Sequence, residues 1–82
     1  MLTKMHMVTI VIQDAEVAFQ PVNELLHAYS ACVKLRVGYP MPDKKVSVIF
    51  VVMEMTPDEI GAFSGKLGQL KSVKVSSIAL KI

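Results

Sequence analysis

The sequence is poor in the residues that most often carry chemistry, since its 82 residues include one cysteine, one arginine and no tryptophan. A single cysteine, Cys32, excludes a disulfide within the chain and a site of several thiolates, and it favours a reducing, cytoplasmic compartment. The lysines are scattered and the net charge is only +2, so no direct nucleic-acid partner is expected. The apolar run at residues 7–12 is too short to span a membrane and no small-residue cleavage site accompanies it, so no membrane partner is expected either.

Apolar residues, in contrast, are abundant for so short a chain. They make up 52% of the sequence and charged residues 20%, against roughly 45–50% and 25% in ordinary soluble domains. The length suffices for one domain, residues 1–82, and is too short for two. Because a small domain buries a limited share of its surface, surplus apolar surface is often covered by a second copy of the chain.

The N-terminal half begins with a predicted strand and helix. Residues 5–13 are rich in Val, Ile and Thr, which predicts a buried strand. Asp14 can cap a helix that ends at about Ser30. Its buried face carries apolar residues at helical spacing, namely Val22, Leu25, Leu26 and Tyr29. Pro21 leaves two starts open, because a helix that begins at Ala15 must bend at the proline, whereas a regular helix would begin near Pro21.

Two strands are predicted next. Residues 33–39 alternate between apolar and polar side chains, which is typical of an edge strand with one buried face. Residues 46–53 are apolar in both phases and therefore predict a central strand. Pro40 and Pro42 should terminate the first of these strands. The connection that follows, Met41 to Lys44, is too short for a crossover, so the two strands should be antiparallel.

The clearest local signal starts the second helix. Thr56, Pro57 and Glu59 predict a threonine cap, a proline at the first helical position and a capping box. The buried stripe of this helix is Ile60, Phe63, Leu67 and Leu70. Its glycines each cost up to about 1 kcal/mol relative to alanine, which indicates a packing or a binding reason. A final strand at residues 73–80 changes its apolar phase near Ser76 and Ser77, and a bulge is expected there.

The order of predicted elements, βαββαβ, is that of a ferredoxin-like α+β sandwich. Strands one and three should form the centre of a four-stranded antiparallel sheet, with both helices on one face and the opposite face open. Strand three is apolar on both faces, so part of the open face should be buried by another subunit in a dimer or tetramer.

Three common activities of this fold need residues that are missing here. Soft-metal carriers need paired cysteines in the first loop. Binders of single-stranded RNA need exposed aromatic residues on the two central strands, which offer only Phe50. Acylphosphatase-like catalysis needs a phosphate cradle with an arginine after strand one, and residues 13–15 provide neither.

Other constellations are equally sparse. His6, His27 and Cys32 are the only imidazole and thiol groups, and no spacing motif joins them into a metal site. The acidic residues that come in pairs lie at the two helix starts, where caps explain them better than acid–base catalysis: Asp14, Glu16, Asp58 and Glu59. No serine has a partner pattern that would activate it. No metal, no cofactor and no enzymatic activity are therefore expected.

Arg36 is the charged residue with the most suggestive position. If Leu35 and Val37 face the helices, strand alternation directs Arg36 to the open face of the sheet. A guanidinium held there could pair with an acid across a subunit interface or at the surface, or it could bind the carboxylate of a ligand.

Three segments taken together resemble a known family. They are residues 22–27 (VNELLH), 35–40 (LRVGYP) and 60–70 (IGAFSGKLGQL). They are similar to small stand-alone proteins described as regulators of the iron-only hydrogenase system, and the resemblance extends over nearly the whole chain. It implies an ACT-like, ferredoxin-like fold related to amino-acid-sensing ACT domains and to the ligand-binding half of nickel-responsive repressors. It also implies a link to hydrogenase maturation or expression in anaerobic bacteria.

The chain departs from those relatives in two places. ACT ligand sites usually use a glycine after strand one, where this sequence has Gln13, Asp14 and Ala15. The nickel-responsive repressors carry a DNA-binding arm and a histidine and cysteine ligand set, and this chain has neither. A transcriptional regulator of this kind must therefore act through a partner or a ligand.

These observations lead to one hypothesis and one alternative. The hypothesis is a non-enzymatic, homo-oligomeric, ligand-sensing protein whose small-molecule effector binds in an intersubunit groove. The predicted ligand-binding residues are Arg36, Gly38, Gly61, Gly65 and Gly68. The alternative is a structural or assembly module that docks on a larger, hydrogenase-related protein through its open sheet without a small ligand.

Overall fold

The computed structural model describes residues 2–82 and has the predicted order of elements. Strand β1 (Lys4–Ile12), helix α1 (Ala15–Ala28), strand β2 (Val33–Met41), strand β3 (Val46–Met55), helix α2 (Pro57–Gly68) and strand β4 (Val73–Ala79) follow one another along the chain. Short 3₁₀ turns at Ser30–Cys32 and Pro42–Lys44 connect α1 to β2 and β2 to β3. None of the helices within residues 2–82 is long and apolar enough to cross a membrane.

The four strands form one antiparallel sheet in the order β2-β3-β1-β4. The predicted central position of strands one and three and the edge position of strand two are confirmed. One face of the sheet packs against both helices. The core consists of side chains from that face and from the helices, among them Val8, Ile10, Ile12, Val51, Met53, Val22, Leu26, Phe63 and Leu67.

Both predicted helix caps are present. The Asp14 carboxylate accepts a hydrogen bond from the Glu16 N–H at 3.2 Å, and α1 begins at Ala15 with Pro21 inside it. This settles the open alternative for the helix start. In α2 the Glu59 N–H donates to Thr56 Oγ1 at 3.2 Å, and the Thr56 N–H donates to Glu59 Oε1 at 2.9 Å. Together these two bonds complete the capping box.

The prediction of a bulge in the last strand is wrong, because β4 pairs with β1 in one continuous register from Val73 to Ala79. Its mixed pattern reflects its position at the edge of the sheet, where Ser77 and Ala79 are exposed on the helix side. A bulge is found instead in β2. There Val33 pairs with Met53 and Leu35 with Val52, so Lys34 is an extra residue.

A contact between the two helices holds the C-terminal end of α1. The rings of Tyr29 and Phe63 meet edge to face with their centroids 4.8 Å apart. Lys66 Nζ on α2 donates to the Tyr29 hydroxyl at 3.0 Å. The segment that follows Tyr29 and leads into β2 is therefore anchored to the second helix.

Candidate functional site

The open face of the sheet is largely apolar. Opposite residues of antiparallel strands share a face, so the register defines three rows that cross all four strands. The rows are Leu35, Val52, Met7 and Ile78; then Val37, Phe50, Thr9 and Ser76; then Tyr39, Val48, Val11 and Lys74. Leu35, Tyr39 and Ile78 are 56%, 60% and 66% exposed. We call these twelve residues the open face.

Arg36 does not lie on the open face, in contrast to the prediction. It pairs with Val51, a buried residue of the helix side, and its Nη2 donates to Asn23 Oδ1 on α1. The physical reason is the extra residue at Lys34, since a shift of one residue moves every following side chain of a strand to the other face. The same shift places Leu35 on the open face.

A cavity of about 280 Å³ lies beside Arg36, where the end of α1 meets the start of β2. Its lining residues are Leu26, His27, Ser30, Val33 and Arg36. Three of them can donate hydrogen bonds through a guanidinium, an imidazole and a hydroxyl, and none is acidic. We call this cavity the Arg36 cavity.

A larger cavity of about 610 Å³ lies near the other end of β2. Residues 13–16, which lead from β1 into α1, form one side of it, and the hairpin between β2 and β3 forms the other. Asp14 and Glu16 give it negative charge, and Lys44 and Lys45 give it positive charge. Sequence reasoning missed this cavity because its two walls are far apart in the chain and carry no shared motif.

The predicted ligand-binding residues fall into two groups within one chain. Arg36 and Gly38 belong to β2 at one edge of the sheet. Gly61, Gly65 and Gly68 belong to α2, which packs over β4 at the opposite edge; Gly68 faces Val75 of that strand. A Cβ built at Gly61 or Gly65 meets no heavy atom within 4 Å, so packing inside one chain does not require these two glycines.

The candidate metal ligands and acids have structural surroundings. His6 is buried in β1, and its Nε2 has no hydrogen-bond partner in residues 2–82. Among those same residues no cluster of three His, Cys, Asp or Glu side chains could hold a metal ion. The backbone N–H of Thr56, and secondarily its hydroxyl, hydrogen-bond to the Glu59 carboxylate and hold its pKa below the ordinary value of 4.5. That carboxylate is therefore ionised at neutral pH and acts as a cap.

Comparison with known proteins agrees with this geometry. The sequence model of the family described as "TM1266-like: Iron-only hydrogenase system regulator, putative" matches residues 4–77. The solved structure of the uncharacterized protein TM1266 from Thermotoga maritima is 46% identical, with a TM-score of 0.93 over 96% of this chain and 99% of that one. No match is found among curated proteins.

Two more distant structures share the fold. The ACT domain from the GTP pyrophosphokinase of Chlorobium tepidum has a TM-score of 0.78 at 13% identity, over 93% of this chain and 99% of that one. A nitrogen regulatory PII-like protein from Thiomonas intermedia has a TM-score of 0.52 at 13% identity, over 100% of this chain and 96% of that one. The chain therefore belongs to the TM1266-like family of iron-only hydrogenase system regulators, and its sheet and two helices form an ACT-like ferredoxin fold.

Proposed function

We propose that this protein is a cytoplasmic, non-enzymatic, homo-oligomeric regulator in which a small-molecule effector biases the arrangement of subunits. The single observation that carries the proposal is the apolar open face. Family membership supplies the hydrogenase context. Two neighbours of the fold add support, since one is the ACT domain of a GTP pyrophosphokinase and the other is a PII-like protein bound to ADP, AMP and bicarbonate.

A second copy of the chain is the best-matched cover for the open face. An apolar patch of this extent on a soluble protein usually marks an interface. A two-fold axis would place the same apolar rows of two copies against each other, so each open face would bury the apolar side chains of the other. Strand β2 adds to this argument, because every residue from Lys34 to Pro40 is exposed and its outer edge has no strand partner within residues 2–82.

An oligomer would also account for the two groups of predicted ligand-binding residues. Arg36 and Gly38 lie at one edge of the sheet and the glycines of α2 at the other, all on the helix side, so a groove that contains both needs a second chain packed beside the edge of the sheet, in addition to contact through the open face. The open space around Gly61 and Gly65 would admit a neighbouring backbone or a ligand. If subunit contacts bury the open face, the regulator would influence transcription through an effector or a protein partner rather than by binding DNA itself.

The alternative is a module that docks on a hydrogenase-related protein through the same open face, without a small ligand. The apolar composition of the face also suits a protein partner, whereas the unpaired edge of β2 within residues 2–82 favours a second copy. The two functions differ in what binds. A sensing protein responds to a metabolite, whereas a docking module is retained by a maturation protein with no metabolite added.

The oligomer is tested by light scattering coupled to size-exclusion chromatography. Phe50, on the open face, and Phe19, exposed on α1, give a matched pair for the same change. Phe50→Glu is expected to yield a folded monomer, because a carboxylate would be buried without a partner in the interface. Phe19→Glu should keep the wild-type mass. A wild-type monomer at tens of micromolar, or an unchanged Phe50→Glu oligomer, would refute the proposed interface.

Sensing is tested by thermal shift with amino acids, nucleotides and metabolites of hydrogenase maturation. A ligand at a hundred times its Kd stabilises the folded protein by about 2.7 kcal/mol, which corresponds to a rise of roughly 10 °C or more for a domain of this size. If every compound leaves the midpoint unchanged while a maturation protein is retained by the chain, the docking alternative is favoured.

A further inference from the structure

We propose that the Arg36 cavity binds the anionic head, a carboxylate or a phosphate, of a small ligand. This inference rests on the proposed sensing function and names the chemical class of the effector and the residues that hold it. The contacts would be made by the Arg36 guanidinium, the His27 imidazole and the Ser30 hydroxyl.

The cavity contains unused hydrogen-bond donors. A guanidinium has five N–H groups, and the structure uses Arg36 Nη2 for one bond, to Asn23. The side chains of His27 and Ser30 make no hydrogen bond within residues 2–82. Because no acidic residue lines the cavity, these donors face no competing carboxylate. An anion is the ligand that would satisfy them together.

The guanidinium is oriented before any ligand arrives. Asn23 Nδ2 donates to the Phe19 carbonyl oxygen at 2.8 Å, which turns Asn23 Oδ1 toward Arg36. That oxygen then accepts from the guanidinium and holds it beside the cavity. Ser30 directly follows Tyr29, whose ring packs edge to face against Phe63. A guanidinium held in advance loses less conformational entropy on binding than a mobile one.

Size and lining favour a small organic anion. The volume of about 280 Å³ lies just below the range of drug-sized sites, roughly 300–1,000 Å³, and so suits a smaller ligand. Leu26 and Val33 provide an apolar wall for a short carbon chain next to the charged head. The larger cavity is less suited to an anion, since the carboxylates of Asp14 and Glu16 line it.

The test is an NMR titration of the full chain with three probes: inorganic phosphate, butyrate and the neutral analogue butyramide. We expect saturable shifts at the amides of His27, Ser30 and Arg36 with phosphate, butyrate or both, and none with butyramide. The Kd should be about 1–10 mM, as for a ligand of about half a dozen heavy atoms. A response to phosphate alone identifies a phosphate head, and a response to butyrate alone a carboxylate.

Three variants separate specific binding in the Arg36 cavity from nonspecific electrostatic attraction. Arg36→Gln should weaken binding at least about tenfold, because charge-assisted hydrogen bonds are lost. Lys71→Gln removes the same charge from an exposed residue in the turn between α2 and β4, outside the open face, and should bind as wild type does. Ser30→Ala, an exchange of one small side chain, should weaken binding by about threefold and provides a second reading independent of Arg36.

Several results would overturn the site: no saturable shift with either anion, equal binding of butyramide, or equal losses in Arg36→Gln and Lys71→Gln. If Arg36→Gln keeps the oligomer and a thermal response to a metabolite, this site is refuted and the sensing function stands. If the anions bind as expected but no metabolite changes the thermal midpoint, the site stands and the sensing function is refuted.

Discussion

Replacing His6 by leucine is expected to stabilise the protein. His6 is only 6% exposed and faces the helix side of β1, with Met53 and Ala79 as its neighbours in the adjacent strands. Its Nε2 is buried and finds no partner within residues 2–82. A buried polar atom without a hydrogen bond costs about 1–3 kcal/mol of folding free energy.

Leucine has a similar size and no polar atom, so most of that cost should be recovered. We expect the free energy of unfolding to rise by about 1–2 kcal/mol. For a domain of this length, each kcal/mol corresponds to a rise of about 4–8 °C in the thermal midpoint. The urea m-value should not change, because the surface exposed on unfolding is nearly the same.

The assay is urea denaturation followed by circular dichroism at equal protein concentrations, since self-association would couple stability to concentration. His27→Leu is the matched control. His27 is exposed, so the same exchange there should alter stability by less than about 0.5 kcal/mol. A His6→Leu protein no more stable than wild type would refute the reasoning, because it would mean that Nε2 is hydrogen-bonded in solution.

Three further predictions concern α2. Thr56→Ala should lower the free energy of unfolding in urea by about 1 kcal/mol, because the cap of the helix is lost; an unchanged midpoint would contradict the capping box. Because the pKa of Glu59 is held below 4.5 in the folded protein, its contribution is present at higher pH and is lost as the pH falls through the lowered value. Glu59→Gln should therefore flatten the loss of stability between about pH 5 and pH 3, and equal slopes in the two proteins would contradict it. Gly65→Ala should raise the free energy of unfolding of the monomer by up to about 1 kcal/mol, since a Cβ there has free space. If a partner backbone packs on this glycine, the variant will have a lower mass by light scattering. If a ligand packs there, the variant will show a smaller thermal shift with that ligand.

Local signals were the most predictable part of this fold. The residues Thr56, Pro57 and Glu59 specify the start of α2 through bonds that lie within four residues of one another. The apolar strands at residues 5–13 and 46–53 predicted the centre of the sheet because burial on both faces leaves no other position for them. These features depend on neighbours in sequence or on composition alone.

The direction of Arg36 was not predictable in the same way. Strand alternation is a reliable rule only while the register is unbroken, and the sequence around Lys34 carries no glycine or other residue that signals a bulge. The pairing of Val33 with Met53 and of Leu35 with Val52 results from tertiary packing. The Arg36 cavity was missed for the same reason, because Arg36 lines it from the helix side of the sheet.

The bulge at Lys34 sets the direction of the β2 side chains, and that direction has little effect on the stability of the fold. Within residues 2–82, β2 is hydrogen-bonded to one neighbouring strand only, and its residues from Lys34 to Pro40 contribute nothing to the buried core. A relative that lacks the extra residue would therefore present the apolar and cationic side chains of this strand on exchanged faces, at little thermodynamic cost. If the open face self-associates and the Arg36 cavity binds anions, as we propose, the spacing between the end of α1 and Leu35 sets which side chains of β2 serve each role, even where the amino-acid composition is the same.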